Sequence, residues 1–463
     1  MKKPQTLAMN NELLLAIADF YEYSMARANL EEDIAGKQTV FDMVVRNVPT
    51  DRSFLVNAGL EQAAAYLLEA RGNEELRDYF KETMEIKDQP FLDWVSTIKF
   101  AGDLYAMPEG TIFFGQEPQL RVHEKFEEAQ VFESLFLNTI NPQTNVATTA
   151  NDIASATTKI LLEGGSRRAT SPQSALFNSR AARIGGFTAS SNVGFGIKYN
   201  EKVGGTHGHS YVMLHPTEYA AFKAQGNVFG DNGCFLLDTY DVKKAFETAL
   251  KIVEEEKLNN FAFRIDSGDL LEQARWIHQE LAGRGFTRGR YTLVASDDLT
   301  AEKIANLEKN GADIDKYLVG TYVVNPVKPL GGVYKLAAFQ EDDGRWELRG
   351  KICENPKKST LPGIKQIYRV SAEDGYYQRD VIALEGENID TYLQHDETVE
   401  ALLIPIVREG KQVYDFPSIR EISERRKEQL SKFRDITQYQ VIVSEGIQEA
   451  QRNIRAQFLH QRL

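Results

Sequence analysis

Four apolar stretches between residues 234 and 321 each lead into an acidic residue or a glycine, and this repeat limits the possible folds of the 463-residue chain more than any other feature. The end residues are 28, 31 and 23 positions apart, and they are Asp238, Asp266, Asp297 and Gly320. Such spacing is close to the length of one strand–helix unit with its loops. The sequence therefore predicts parallel strands that alternate with helices.

Two folds share these local units. A (β/α) barrel brings the carboxyl ends of all its strands to one mouth, whereas a doubly wound sheet concentrates its site at one switch point. Periodicity does not separate the two. We favour the barrel because four successive strand ends carry candidate site residues.

The predicted pattern of helices and strands differs on either side of this region. Residues 1–145 mix helical patterns with short strand-like pieces. Residues 331–463 show antiparallel strand patterns and then mostly helix, with a break near residues 436–446. We expect this last segment to pack back on the first, and residues 146–330 to form the barrel. The predicted fold class is α/β: an irregular (β/α) barrel plus an α+β sandwich domain formed from both chain ends.

Charge and cysteine usage exclude several functional classes. The chain has 54 Lys and Arg against 67 Asp and Glu, a net charge of −13, which argues against nucleic acid or anionic membrane as a partner. Cys234 and Cys353 lie far apart, without the spacing of a disulfide framework or a cysteine zinc site. No membrane span or cleavable signal pattern is evident. We expect a soluble, cytoplasmic protein.

Two glycine-rich segments offer groups that bind anions. Residues 164–168 (GGSRR) follow a predicted helix face that includes Ile153 and Ile160. Paired arginines behind a small-residue turn bind carboxylate or phosphate bidentately, but a solvated surface pair has the same pattern. Residues 185–192 are rich in glycine and hydroxyls, which suits an anion cradle and equally a helix N-cap after a tight turn.

A histidine pair at His207 and His209 leaves three interpretations open. In an extended segment the two side chains share a face and suit a metal ion, but a barrel metallohydrolase needs further histidines at later strand ends. A structural histidine pair is the second interpretation. A nucleophilic or acid–base histidine is the third.

The sharpest constellation is Arg264-Ile-Asp266-Ser-Gly-Asp269 at a strand end. Rigid carboxylates in such a place bind a ribose diol or a magnesium ion, although an ion pair that only closes the barrel rim is the alternative. Gly320 and Thr321 suit a phosphate, because a glycine lets the backbone come close. Phosphate, ribose, magnesium and an anionic partner together indicate a sugar-phosphate transferase.

Nine motifs in order resemble one family, the nicotinate phosphoribosyltransferases, with the nicotinamide phosphoribosyltransferases as near relatives. The motifs are EGGSRRA (163–169), GGFTASSNV (185–193), GGTHGHS (204–210), LLDTYD (236–241), FRIDSGDL (263–270), ASDDL (295–299), VGT (319–321), GGVYKL (331–336) and PGIKQIYR (362–369).

The resemblance implies an activity, cofactors and an assembly. The reaction transfers phosphoribosyl from 5-phosphoribosyl diphosphate to the ring nitrogen of nicotinate and is coupled to ATP hydrolysis and Mg2+. The fold is an irregular α/β barrel with a sandwich domain from both termini. The active sites are shared across a homodimer.

The resemblance also implies residue roles. His209 matches the histidine that ATP phosphorylates. Arg167 and Arg264 match the arginines at the pyridine ring and carboxylate. Asp238 and Asp266 match the carboxylates near the ribose and the metal ion.

Further substrate contacts are expected on the ribose side and from the partner subunit. Tyr21 matches an aromatic residue that stacks on the ring from the partner. The ribose side is expected to include Ser267, Gly268, Asp297, Gly320 and Thr321.

The choice of pyridine depends on Ser190 and Ser191. Amide-using relatives place an aspartate in this segment, and a substrate carboxylate would be repelled by it. Hydroxyls stand there in this chain, so we expect nicotinate rather than nicotinamide as the substrate. The chain departs from the family pattern at three places: Gly164 stands where relatives often carry a stacking Phe, Gly208 stands where they usually carry Ala and is preceded by a second histidine, His207, and Leu318 stands where they usually carry Gly.

A catalytically silent relative that only binds phosphoribosyl ligands is the alternative to an enzyme. Such a protein would be free to lose catalytic residues. This chain retains Arg167, His209, Asp238, Arg264 and Asp266, which favours an enzyme.

Overall fold

Residues 146–327 form one structural unit, and residues 1–145 together with 328–463 form the other. The computed structural model describes residues 13–46, 48–50, 52–326, 328–353 and 358–460. Within these ranges no helix is both long enough and apolar enough to cross a membrane.

The chain begins with a helix-rich segment that also supplies strands. In chain order its elements are α1 (Phe20–Leu30), β1 (Gln38–Val45), β2 (Leu55–Val56), α2 (Leu60–Glu69), α3 (Glu74–Asp78), α4 (Gln89–Thr97), β3 (Asp103–Ala106), β4 (Ile112–Phe113), β5 (Pro118–Lys125), α5 (Phe126–Val131) and α6 (Glu133–Ser155). A single π-helical turn, Tyr79–Thr83, follows α3.

The middle segment alternates strands and helices. Its elements are β6 (Ile160–Glu163), α7 (Pro172–Ile184), β7 (Ala189–Ser190), α8 (Val193–Tyr199), α9 (His209–Leu214), α10 (Glu218–Phe229), β8 (Cys234–Leu236), α11 (Val242–Glu255), β9 (Phe261–Ile265), α12 (Leu270–Gly283), β10 (Tyr291–Ala295), α13 (Ala301–Lys309), β11 (Lys316–Val319) and α14 (Thr321–Val324). The predicted strand-end residues lie one or two positions beyond β8, β9, β10 and β11.

The last segment is mainly β. Its elements are β12 (Gly332–Gln340), β13 (Trp346–Leu348), β14 (Lys365–Ser371), β15 (Tyr377–Leu384), β16 (Thr398–Ala401), β17 (Ile404–Arg408), β18 (Lys411–Gln412), α15 (Ile419–Ser431), β19 (Gln440–Val443) and α16 (Glu445–His460).

The six middle strands form a parallel sheet in the order β7-β6-β11-β10-β9-β8. This order is cyclic, because the first strand β6 pairs with the last strand β11 and the later strands follow in sequence. A doubly wound sheet would instead keep its first and last strands apart. The predicted irregular barrel is therefore confirmed, with one seam between β7 and β8.

The segment that carries the histidine pair lies along this seam. The amide of Gly204 donates to the carbonyl of Ser190 at 3.0 Å. The amide of Leu236 in β8 donates to Nε2 of His207 at 3.4 Å. The seam is thus bridged by a loop where a barrel would normally have a strand ladder, which explains the irregularity.

The other unit contains the sandwich built from both chain ends, as predicted. Its larger sheet has the order β13-β12-β1-β5-β3-β17-β18, and a smaller sheet has the order β16-β14-β15-β19. The strands β1 and β12, almost 300 residues apart in the chain, pair antiparallel.

Candidate functional site

A polar cleft of about 250 Å³ opens at the carboxyl ends of β6, β9, β10 and β11. It gathers residues from four predicted motifs. Its lining residues are Gly164, Arg167, Arg168, Arg264, Asp266, Ser296, Asp297, Asp298, Leu318, Gly320 and Thr321. Six residues predicted from separate motifs thus share one cleft, as a barrel mouth requires.

Arg264 is held in place by bonds to the protein itself. Its Nε donates to Oγ of Ser296 at 2.8 Å, and Nη1 donates to Oγ1 of Thr206 at 2.9 Å. Its Nη2 pairs with Oδ1 of Asp266 at 2.9 Å. The guanidinium therefore orients Asp266 and anchors the loop at the barrel seam.

His209 and two aspartates form a cluster beside this arginine. Nε2 of His209 lies 3.4 Å from Oδ2 of Asp266 and 3.9 Å from Oδ1 of Asp238. Nδ1 of the same ring lies 3.3 Å from Oγ1 of Thr239. Burial acts to raise the pKa of Asp266, but the hydrogen bond from Ser296 and the charge of Arg264 outweigh it. The pKa of Asp266 is therefore lowered, and the carboxylate is negative at neutral pH.

The same cluster offers the donor set of a cation site. One ligand atom each from His209, Asp238 and Asp266 lies within 4.8 Å of the other two. The hydroxyl of Ser267 donates to Oδ2 of Asp238 at 2.6 Å. Oδ1 of Asp238 is buried and accepts no hydrogen bond within the described part of the chain. A buried, unsatisfied carboxylate oxygen is costly, and a divalent cation would satisfy it.

The two histidines of the seam loop have different environments. His207 is largely buried, its ring centroid 5.3 Å from that of Tyr211 and 6.0 Å from that of Phe222. Burial and the nearby Arg264 lower the pKa of His207 to about 4. The side chain of His209, at the start of α9, is 41% exposed. Among the described residues, the ligand atoms that lie together come from His209, Asp238 and Asp266 and not from His207, whose Nε2 accepts the amide of Leu236.

The arginine loop (residues 164–168) and the hydroxyl loop (residues 190–192) lie on the β6–β7 side of the mouth. Arg167 is exposed on the 3-10 turn Ser166–Arg168. Ser190 is buried, and its hydroxyl donates to Oε2 of Glu163 at 2.5 Å. Ser191 is half-buried, and its amide donates to the carbonyl of Glu163 at 2.8 Å. The hydroxyl of Ser190 therefore acts within the protein, and sequence reasoning missed its acceptor, Glu163.

Two of the departures from the family pattern, Gly164 and Leu318, are neighbours in the structure. A Cβ on Gly164 would lie 2.7 Å from Cδ1 of Leu318. Leu318 also has the only hydrocarbon side chain among the described residues that line the cleft. The leucine thus fills the space that a side chain at position 164 would need.

Backbone conformations are unusual at two of the strand-end loops. Asp297 has φ +105° and Asp298 has φ +40°. Residues other than glycine rarely adopt positive φ angles. Gly268 has φ +78°, and its substitution would also crowd Gln273. Strained residues of this kind cluster at binding sites.

Other residues of the mouth were also missed. Ser296, Asp298 and Thr206 contact the cleft or its arginine. Ser296 and Asp298 follow the end of β10, so position at a strand end was the signal that could have found them. Thr206 lies in the loop before α9, directly beside His207 in the GGTHGHS motif.

Tyr21 belongs to the other unit. It lies on α1 and is 45% exposed. Partial burial and the neighbouring Glu133 raise the pKa of its phenol above the ordinary range.

The comparisons with known proteins identify one family. Two family models match: the nicotinate phosphoribosyltransferase N-terminal domain over residues 17–141 and the C-terminal domain over residues 364–449. The chain is 36% identical over 380 residues to the nicotinate phosphoribosyltransferase of Bacillus subtilis, covering 80% of this chain and 76% of that protein. It is 32% identical over 410 residues to nicotinate phosphoribosyltransferase pncB1 of Mycobacterium tuberculosis, covering 86% and 87%.

Solved structures show the same fold. Human nicotinic acid phosphoribosyltransferase is similar with a TM-score of 0.80 at 24% identity, over 94% of this chain and 99% of that chain. The nicotinate-nucleotide pyrophosphorylase from Pyrococcus furiosus is similar with a TM-score of 0.73 at 25% identity, over 93% and 99%.

Proposed function

The chain belongs to the nicotinate phosphoribosyltransferase family, and we propose on this basis that its barrel mouth forms nicotinate mononucleotide and diphosphate from nicotinate and 5-phosphoribosyl diphosphate. One observation carries the proposal. Arginine, aspartate and glycine residues from four strand ends line a single polar cleft. A flat anionic acceptor and a sugar phosphate need such a mixture of charges in one place.

The carboxylates at the mouth favour the transition state. The bond between C1 of the ribose and the diphosphate oxygen breaks, the diphosphate takes the electron pair, and the ring nitrogen then bonds to C1. Positive charge develops on the ribose between these events. The fixed negative charges of Asp266 and Asp297 stabilise that charge more than they stabilise the ground state.

Recognition of the pyridine is assigned to the β6–β7 side. The guanidinium of Arg167 is exposed and donates from Nη1 to the carbonyl of Gly164 at 3.3 Å, so its other N–H groups are available for the nicotinate carboxylate. Arg264 instead bonds to Ser296, Thr206 and Asp266. Leu318 gives the ring an apolar wall. Gly320 and Thr321 suit the 5-phosphate.

Nicotinate is favoured over nicotinamide because the hydroxyl loop has no acidic residue that would repel the carboxylate of nicotinate. Ser190 and Ser191 stand in that loop, and a neutral amide carries no negative charge for Arg167 to pair with. Diphosphate release, measured with protein, Mg2+, ATP, 5-phosphoribosyl diphosphate and each pyridine in turn, tests the proposal. We expect kcat/KM to favour nicotinate on the order of 10²-fold. No release with either pyridine, or preference for the amide, contradicts it.

Mg2+ and ATP are proposed as the cofactors. Asp238 and Asp266 would hold the cation, which supplies positive charge against the diphosphate. We assign phosphorylation to His209 rather than His207, since the His209 ring is exposed at the mouth and the Nε2 of His207 is already bonded. A phosphate on His209 would add negative charge beside Asp266 and so link ATP turnover to substrate affinity.

The variant His209→Ala tests this assignment. It should retain slow, ATP-independent transfer, lose ATP stimulation, and fail to incorporate label from γ-labelled ATP. The matched control is His215→Ala at the other end of α9, which should retain both. Labelling or unchanged ATP coupling in His209→Ala would show that another group accepts the phosphate.

A homodimer with shared sites is proposed from the exposure of Tyr21. Light scattering tests the dimer. Co-expression of Tyr21→Ala with Asp266→Asn tests the sharing: random pairing should restore about a quarter of the wild-type sites if Tyr21 acts on the partner's site. Activity no higher than that of the single variants contradicts shared sites.

A further inference from the structure

The carboxylate of Glu163 lies at the end of β6, where it is 1% exposed. It accepts three hydrogen bonds from three separate segments. Oε1 accepts the amide of Gly165 at 2.5 Å, and Oε2 accepts the hydroxyls of Ser179 at 2.7 Å and Ser190 at 2.5 Å. A buried carboxylate needs such donors, and bonds to a charged acceptor are stronger than neutral ones.

Through Glu163, the three donors connect the arginine loop and the hydroxyl loop to helix α7. Gly165 immediately precedes the turn that carries Arg167. Ser190 opens the hydroxyl loop, and the next amide, of Ser191, donates to the carbonyl of Glu163 at 2.8 Å. Ser179 lies in α7. One buried residue therefore fixes two loops relative to each other and to the barrel.

A second contact joins the two loops directly. The side-chain amide of Asn192 donates to Oγ of Ser166 at 3.0 Å, and Asn192 also caps α8 by accepting the amide of Phe195 at 3.0 Å. This contact lies nearer the surface than Glu163. The two loops are thus bonded both beneath and beside the turn of Arg167.

We propose that Glu163 is a positioning residue that sets the spacing of the arginine loop and the hydroxyl loop, and thereby the affinity for the pyridine substrate. The inference deepens the proposed function and rests on it. Glu163 does not line the cleft, so it acts through Gly165 and Ser190 and not by contact with substrate. Its loss should change pyridine binding more than the chemical step.

The variant Glu163→Gln tests this proposal. Glutamine has the same size, but its amide nitrogen cannot accept the hydrogen bonds that one carboxylate oxygen accepts. We expect KM for nicotinate to rise about tenfold, with kcat and KM for 5-phosphoribosyl diphosphate within about threefold of wild type.

A matched control comes from the same unit. Oε1 of Glu308 accepts the hydroxyls of Thr157 at 2.8 Å and Tyr317 at 2.9 Å, but Glu308 lies at the end of α13 and not among the residues that line the cleft. Glu308→Gln should lower the melting temperature and leave all three kinetic parameters at wild-type values. A rise in KM for nicotinate in both variants would show a general loss of barrel stability and overturn the proposal.

Two serine variants keep the test decisive if Glu163→Gln does not fold. Ser179 and Ser190 donate to the same oxygen, but only Ser190 belongs to a substrate loop. Ser190→Ala should raise KM for nicotinate, Ser179→Ala should not, and both should lower the melting temperature. Equal effects of the two serines on KM would overturn the positioning role.

Failure of this proposal differs from failure of the proposed function. If the wild-type protein releases no diphosphate in response to nicotinate, the proposed function itself is wrong. Active wild-type protein, together with an unchanged KM for nicotinate in Glu163→Gln, removes only the role of Glu163.

Discussion

Two arginine–aspartate pairs in this chain have the same chemistry and different surroundings. Arg369 and Asp380 are both fully buried, and the arginine donates to both carboxylate oxygens, at 3.0 and 2.6 Å. Arg264 and Asp266 at the barrel mouth share one contact of 2.9 Å, and Asp266 is 23% exposed. The first pair is bidentate and closed, whereas the second leaves a carboxylate oxygen facing the site.

The additional partners of each pair show what the difference means. Asp380 also accepts from Tyr439 at 2.8 Å, and the paired residues face each other across β14 and β15. Oδ2 of Asp266 instead faces His209 at 3.4 Å. A closed pair serves the specificity of the fold, and an open pair keeps charge available for a ligand.

Of the substitutions that test this difference, Asp266→Asn should have the largest effect on activity. The substitution keeps the shape and removes the negative charge, so we expect kcat to fall by about 10³ with little change in melting temperature. The control is Asp315→Asn, since Asp315 pairs with Arg288 at 2.8 Å and lies just before β11, at the opposite end of that strand from the mouth. That variant should lose stability and retain kcat. A normal kcat in Asp266→Asn would place transition-state stabilisation elsewhere.

Asp380→Asn should have the opposite profile. Removing the partner leaves Arg369 with an uncompensated buried charge, and we expect a loss of about 3 kcal/mol in the free energy of unfolding. This is the lower end of the usual range, because burial and the neighbouring Asp380 raise the pKa of Glu117, so Glu117 can ionise and replace part of the lost charge. Urea unfolding measures the loss. A fall in kcat of the folded protein would contradict a purely structural role.

The sequence was most informative where local pattern and end residue coincided. In β9, Phe261, Phe263 and Ile265 alternate with Ala262 and Arg264, a pattern typical of a strand, and Asp266 follows the last residue of β9 directly. The spacing of such ends predicted strand–helix units, and the candidate site residues at four successive ends favoured the barrel, whose strand ends meet at one mouth. Three of the predicted strand-end residues, Asp266, Asp297 and Gly320, line the cleft, whereas Arg167 was predicted from its paired-arginine motif.

The sequence was least informative where tertiary pairing decides the structure. The helix face predicted to reach Ile160 is wrong: α6 ends at Ser155, and Ile160 begins the strand β6. A three-residue apolar run does not distinguish a strand from a buried helical turn. Glu163, at the end of that run, was missed for the same reason, because its donors lie 2, 16 and 27 positions away.

The C-terminal segment gives a second example. The break predicted near residues 436–446 contains β19, which pairs parallel with β15. Its partner strand lies about 60 residues earlier, and a short strand with a distant partner leaves only a gap in the helical pattern.

A smaller effect is expected from exchanging Gly164 and Leu318. Leu318→Gly should raise KM for nicotinate about tenfold, because the ring loses its apolar wall. Gly164→Leu alone should also impair binding, since its Cβ would lie 2.7 Å from Leu318, and the double exchange should recover most of the affinity. Leu162→Ala is the control: Leu162 pairs with Leu318 in register and does not line the cleft. Additive losses in the double variant would contradict a shared space.

The smallest expected effect is on the pH dependence of stability, through His123 in strand β5 of the sandwich. Burial and the charge of Arg121 lower the pKa of His123 from 6.5 to about 4. Its ring is 5.5 Å from Tyr105 and 6.1 Å from Trp346. Between these pH values the unfolded chain binds a proton that the folded chain does not, so the stabilising contribution is present above pH 6.5 and is lost as the pH falls toward 4.

His123→Phe retains an aromatic ring among these neighbours and removes the titration. Urea unfolding at pH 7, 6 and 5 should show a stability that depends less on pH, by at most about 1.4 kcal/mol per pH unit, the slope for one proton. The kinetic parameters at pH 8 should match those of the wild type, because His123 lies in the sandwich and takes no part in the proposed reaction. An unchanged slope would mean that His123 takes up its proton in the folded state. A change in KM for nicotinate would mean that the sandwich influences the mouth, and the division between the two regions would then fail.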